Sequence, residues 1–202
     1  MPFTTYAELK QAIINFSHRT DTSNVVDDFI DLTENDIDKK LRLRANEQRA
    51  TASPTTRFLA LPDRFIEMRR LSLINGSVTK DIQYKSPEGM AITGTSGEPR
   101  FFTITSQIEF DKAPSTTYTV EMAYYAGIQA LSSSNTTNDV LTNYPDIYLF
   151  GALTHLSIWE KDINQAQVYK ALFDEKLNDA NEQERRGRYG PAPSISMEGW
   201  TP

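Results

Sequence analysis

The sequence predicts an α+β fold: a helical bundle with an inserted small antiparallel β-sheet and an extended C-terminal arm. Three observations carry that prediction. Apolar residues recur every three or four positions near both ends of the chain, the repeat of an amphipathic helix. Between them lie short β-prone runs bounded by turn residues. The last residues, RYGPAPSISMEGWTP, mix Gly, Pro and Ser with apolar side chains in no helical period. The expected division is 1–56 with 128–185 for the bundle, 57–127 for the β-rich insertion, and 186–202 for the tail.

Thr5 and Glu8 have the spacing of a capping box, in which a hydroxyl and a carboxylate satisfy the first free amides of a helix. Leu9, Ala12, Ile13 and Phe16 then share one face. Asp21, Thr22, Ser23 and Asn24 offer caps for a second helix, whose stripe is Val26, Phe29, Ile30, Thr33, Ile37 and Leu41. Its charges are divided. Asp27, Asp28, Asp31, Glu34, Asp36 and Asp38 precede Lys39, Lys40, Arg42 and Arg44, an order that counters the helix macrodipole. Asn46 to Thr56 reads as a polar loop.

From Arg57 the pattern changes. Phe65 to Ile74 is apolar and β-prone, Asn75-Gly76 is a hairpin signal, and Val78 to Tyr84 is the expected return strand. Ser86-Pro87-Glu88 opens a short helical turn. Strands are expected at 100–104 and 108–110. Tyr118, Val120, Met122 and Tyr124 alternate with polar or small residues, the period of a strand with one wet face. Residues 132–143 read as a polar loop.

NYPDIYLFGALTHLSIWEKD, residues 143–162, is the most hydrophobic window. Helical projection places Leu149, Ala152, Leu153, Leu156 and Ile163 on one face, with Tyr148, His155 and Trp159 on a semi-buried flank. Asp162 and Gln165 repeat the capping spacing. The last helix has the stripe Ala166, Tyr169, Phe173, Leu177 and Ala180.

Composition bounds the function. The chain has 39% hydrophobic and 24% charged residues, so it can build a modest core. It has no apolar run of membrane-spanning length and no secretory-signal pattern. The absence of cysteine excludes disulfides, thiolate metal sites and thiol nucleophiles. A net charge of −6 argues against nonspecific DNA binding by counterion release.

Motifs for chemistry are missing. GxGxxG, the phosphate-binding P-loop, GxSxG and HExxH do not occur, so no catalytic residue, metal or cofactor is expected. Asp27, Asp31, Glu34 and Asp38 share a helical face that could hold a hard cation. They lack the glycine turn of a calcium loop, and a solvated face is the expectation. His155 reads as a packing or boundary residue. Arg185, Arg186 and Arg188 suit either a helix C-terminus or an acidic partner. Tyr189, Ile195, Met197 and Trp200 have no periodicity and suit either a disordered end or, as expected here, the anchors of a docking arm.

Taken in order, YAELKQAIINFSHRTD, VVDDFIDLTENDIDKKLR, LALPDRFIEMRRLSL, SPEGM, EPRFFTITSQIEF, YTVEMAYYAGIQALSSSN and NYPDIYLFGALTHLSIWEKD resemble the head-to-tail adaptor (connector) proteins of short-tailed and related bacteriophages. The resemblance spans residues 4 to 182. Phe16 stands where a tryptophan-like aromatic is frequent, and the match is weakest beyond residue 185. It implies a structural virion protein at the head-tail junction, made in the host bacterial cytoplasm. Its partners would be the portal protein, neighbouring copies in a dodecameric ring, and downstream tail or nozzle proteins. DNA would pass through the channel without specific binding, and no membrane would be involved. The arm residues would dock on the portal, and the acids of the second helix would face the channel or a neighbouring subunit. A tail-associated glycosidase and a monomeric protein-binding module are the alternatives.

Overall fold

The capping box opens the first helix as expected. The Thr5 hydroxyl accepts from the Glu8 amide at 3.3 Å, and the Glu8 carboxylate accepts from the Thr5 amide at 3.1 Å. In this computed structural model, which describes residues 3–19, 21–91, 94 and 96–189, five helices accompany ten strands, so the class is α+β. Contacts divide the chain into two units: Met1–Arg44 with Ile128–Pro202, and Ala45–Gly127.

The first unit is helical. In α1 (Tyr6–Ser17), Leu9 and Ile13 are fully buried. Phe16, expected beside them, is 53% exposed. The helix stops at Ser17, where His18 turns the chain through the left-handed region at φ 54°, so Phe16 sits past the covered part of the stripe. The four expected cap residues form a 3-10 turn instead, Asp21–Asn24. Helix α2 (Val26–Lys40) therefore starts from Val25 without a side-chain cap. Its whole predicted stripe is buried.

A short helix, α3 (Asp139–Asn143), occupies part of the expected polar loop. The Asn138 side chain accepts from the Leu141 amide at 2.9 Å and supplies its start. Helix α4 (Pro145–Trp159) has proline in its first turn, where no donor is lost. Lys161, at φ 65°, separates it from α5 (Ile163–Tyr189). Ile163 therefore does not continue the α4 stripe and is 57% exposed. Asp162 caps α5 by accepting from the Gln165 amide at 3.0 Å. Ala166, Phe173, Leu177 and Ala180 are buried and Tyr169 is half-buried.

Residues 186–189, expected in the extended tail, are the last turn of α5. Glycine is a poor helix former, yet Gly187 serves this turn. A Cβ there would lie 2.8 Å from the Arg44 guanidinium carbon, and Arg44 Nη1 donates to the Gly187 carbonyl at 3.3 Å. The unit's core joins Leu9, Ile30, Ile37, Leu141, Tyr148 and Leu153. At Gly151 helix α4 approaches α2 so closely that a Cβ would overlap the Thr33 methyl group.

The second unit holds β1 (Glu47–Ala52), β2 (Phe58–Leu59), β3 (Phe65–Asn75), β4 (Val78–Asp81), β5 (Gln83–Tyr84), β6 (Ser96–Gly97), β7 (Phe101–Ile104), β8 (Ile108–Phe110), β9 (Ala113–Pro114) and β10 (Thr119–Ala126). They do not make one antiparallel sheet. Two four-stranded sheets form, in the orders β1-β10-β3-β4 and β2-β8-β7-β5, beside a β6-β9 pair. The β5-β7 and β6-β9 pairings are parallel.

Strand β1 lies in the expected loop. Its inward residues, Gln48, Ala50 and Ala52, are small or polar, so no apolar alternation announces it. In the hairpin Asn75 pairs with Val78, which makes the loop Gly76-Ser77, one residue later than expected. Gly76 has φ 60°, a value the first loop position of a tight hairpin favours and glycine reaches without steric cost. The return strand ends at Asp81. Ile82 is buried, and the chain passes to the second sheet as β5.

Candidate functional site

Helix α2 carries the acids singled out in the sequence, and the fold uses them unequally. Glu34, expected on a solvated face, is buried. Its Oε1 accepts from the Leu131 amide at 2.8 Å and from the Tyr148 hydroxyl at 2.9 Å. Asn138 Nδ2 in turn donates to the Tyr148 oxygen at 2.7 Å. This chain ties α2, the segment before α3, and α4 together. Burial pushes the Glu34 carboxyl up to about 7, against the two hydrogen bonds, with Asp31 and Asp38 adding to the rise. Burial and the neighbouring Glu34 carboxylate also raise the Tyr148 phenol.

The other acids of that face work nearer the surface. Asp27 accepts from Tyr6 Oη at 2.8 Å and Lys10 Nζ at 3.0 Å. Burial acts to raise its carboxyl, but these partners outweigh it and hold the group below its ordinary value. Asp38 accepts from the Ile128 amide at 2.8 Å. Asp31 is exposed. Among the described residues no group of three or more His, Asp or Glu could hold a metal ion.

Tyr148, His155 and Trp159 do not form one semi-buried flank. Tyr148 is fully buried. The half-buried His155 places Nε2 3.2 Å from Asp36 Oδ2. Trp159 is 48% exposed, with its ring centroid 6.2 Å from that of Phe29 and 5.9 Å from the Arg19 guanidinium carbon. The acid that partners His155 comes from α2, not from its own helix, so helical spacing could not reveal it.

At the end of α5, Arg185 donates to Glu182 at 2.9 Å, and Arg186 lies 3.9 Å from the same carboxylate. Arg188 is half-buried on the last turn. Glu184 fixes this turn: it accepts from the Arg44 amide at 2.8 Å, from Arg44 Nε at 3.1 Å and from Tyr144 Oη at 3.2 Å. These contacts overcome the upward push of burial and keep its carboxyl below the ordinary value. Tyr189 ends the helix. Ile195, Met197 and Trp200 lie outside the described residues.

One feature has no sequence signal of its own. In the second unit a cleft of about 580 Å³ lies between Phe65–Leu71 of β3 and Tyr84, Phe102 and Ile104 of the other sheet. It follows from the step at Ile82, which only the strand pairing exposes.

The described surfaces thus offer docking chemistry: an acidic helix, a basic helix end and an apolar cleft. Among the described residues no helix is long and apolar enough to cross a membrane. Comparison with protein families places the chain in a class, the structural adaptors of bacteriophages. The matching family is the one described as SU10 adaptor protein, the match covers residues 4–194, and the chain belongs to that family. No curated protein matches the chain.

Proposed function

We propose that this protein is a head-to-tail adaptor of the short-tailed phage type. It assembles as a dodecameric ring beneath the portal at the head-tail junction of the virion. There it extends the DNA channel and gives tail or nozzle proteins a platform. The observation that carries this reading is the family match over residues 4–194.

Charge supports the channel role. Residues 45–127 hold nine acidic and nine basic residues, so the entire net charge of −6 belongs to the helical unit. A wall of that sign does not condense phosphates and lets DNA slide. Of the four acids that share a face of α2, the exposed Asp27 and Asp31 suit the lumen or a subunit contact, whereas Glu34 and Asp38 accept hydrogen bonds within their own unit. The docking arm comprises Arg185, Arg186, Arg188, Tyr189, Ile195, Met197 and Trp200. The basic end of α5 meets acidic portal groups, and Trp200 fills a pocket. The role is architectural, without turnover of a substrate.

The test is reconstitution with purified portal, followed by negative-stain microscopy and native mass spectrometry. Rings seated on the portal are expected, with at least tenfold weaker seating when residues 190–202 are removed. Absence of a ring, or full seating by the shortened chain, would overturn the reading.

A further inference from the structure

Strand β3 pairs with β10 from Phe65 to Ile74, but β4 covers its other edge only from Ser72 to Asn75. From Phe65 to Arg70 that edge has no strand partner among the described residues. The cause is the step at Ile82. The Ile82 amide makes one last hydrogen bond to the Leu71 carbonyl, at 2.9 Å, and the chain then leaves for β5. The two sheets diverge there, and the cleft of about 580 Å³ opens beside the uncovered edge. Leu71 and Ile82 are buried at its base, and Met68 is half-buried along its side. Tyr84 stands at the rim, 58% exposed, with its ring edge-on to Phe102 at 5.7 Å.

A strand edge that no described strand pairs with, next to an apolar cleft, fits an extended polypeptide. The peptide backbone completes the ladder, and every second side chain enters the cleft. We propose that the occupant is residues 194–198 of a neighbouring copy of this chain. Ser-Ile-Ser-Met-Glu alternates polar and apolar residues, so as a strand it would present Ile195 and Met197 on one side. Glu198 complements Arg69, an exposed cation that lines the cleft, whereas Arg70 there is held by Asp81 at 2.8 Å. Pro191 and Pro193 oppose helix and favour an extended approach. The nine residues from 190 to 198 span about 30 Å when extended. A segment on one copy and a cleft on the next form a heterologous contact, the kind that closes rings. This inference rests on the ring of the proposed function. It gives Ile195 and Met197 to the neighbouring copy and leaves the arginines and Trp200 to the portal.

The chain has no cysteine, which allows a clean cross-linking test. Full-length Tyr84→Cys protein is mixed with full-length Met197→Cys protein, with and without portal, and oxidised. A disulfide between the two chains is expected at least tenfold above a Tyr84→Cys with Val168→Cys control. Adding Ile195→Pro to the Met197→Cys chain should lower it at least fivefold, because proline cannot donate to the ladder. Glu67→Cys, exposed and lining the cleft, serves as a second cleft position. Cross-linking at control level from both positions overturns the inference. So does a bond that forms only within one chain when Tyr84→Cys and Met197→Cys are combined and diluted with unmodified protein. Rings on the portal without the disulfide defeat this inference alone. The disulfide without rings supports strand exchange and defeats the ring reading.

Discussion

The Tyr148 hydroxyl of α4 donates a 2.9 Å hydrogen bond to the Glu34 carboxylate of α2, and both side chains are buried. Because Asn138 donates to the same hydroxyl oxygen, Tyr148 is both acceptor and donor in one continuous chain. Replacing it with phenylalanine removes a partner from Glu34 and from Asn138. We predict that Tyr148→Phe lowers unfolding stability by about 1–3 kcal/mol, measured by urea denaturation. No change would show that the chain contributes nothing net.

Glu34 makes stability depend on pH. Its folded value, about 7, lies above the ordinary carboxylate value of 4.5. The unfolded chain therefore releases this proton first as pH rises. The associated stabilisation is complete below about pH 4.5 and is lost by about pH 7. The loss is about 3 kcal/mol, at 1.36 kcal/mol per unit of difference. Glu34→Gln should abolish this component. The stability difference between variant and parent, followed from pH 4 to 8, isolates it from Asp27 and Asp36, whose lowered values act at more acid pH. A difference that does not vary with pH would contradict it.

The crossing at Gly151 should tolerate no added carbon. Gly151→Ala forces a methyl group onto Thr33, with an expected cost of about 1–3 kcal/mol despite alanine's better helix propensity. Thr33→Ala in the same chain should recover at least half of the loss. A double-mutant cycle reads this coupling directly, and additive effects would refute the close approach.

Arg44 should hold the last turn of α5. It donates to Glu184 and to the Gly187 carbonyl, and it occupies the space that glycine leaves. In Arg44→Ala, amide exchange at Arg186 to Tyr189 should accelerate at least tenfold while protection around Phe173 persists. Uniform exchange along the helix would contradict this local role.

The helices were legible because their buried stripes follow a single period. Val26 to Leu41 and Ala166 to Ala180 were readable in that way, and the Thr5–Glu8 box is a local signal. What escaped depends on partners distant in sequence. Gln48, Ala50 and Ala52 form a strand because β10 is there to pair with them. Glu34 looks like one more surface acid until Tyr148 and the Leu131 amide, about 100 residues away, enclose it. The cleft beside β3 depends on one residue, Ile82, at which a continuous β-prone run changes sheets. Periodicity reports that a run is extended, not which neighbour it joins.

The helical unit is built from two stretches of chain separated by residues 45–127. On the ribosome, α1 and α2 therefore emerge well before α4, the helix that covers them. At about 5–20 residues per second, synthesis of the intervening segment and α4 takes roughly 6–23 seconds. During that interval Leu9, Ile13, Phe29 and Ile30 have no α4 to bury them, while the β unit, a continuous segment, can already fold. Nascent chains stalled before Pro145 should bind a hydrophobic dye or a chaperone, and chains stalled after α5 has emerged should not. Assembly of the helical unit is thus timed by its last half, although its first half is made before the β unit.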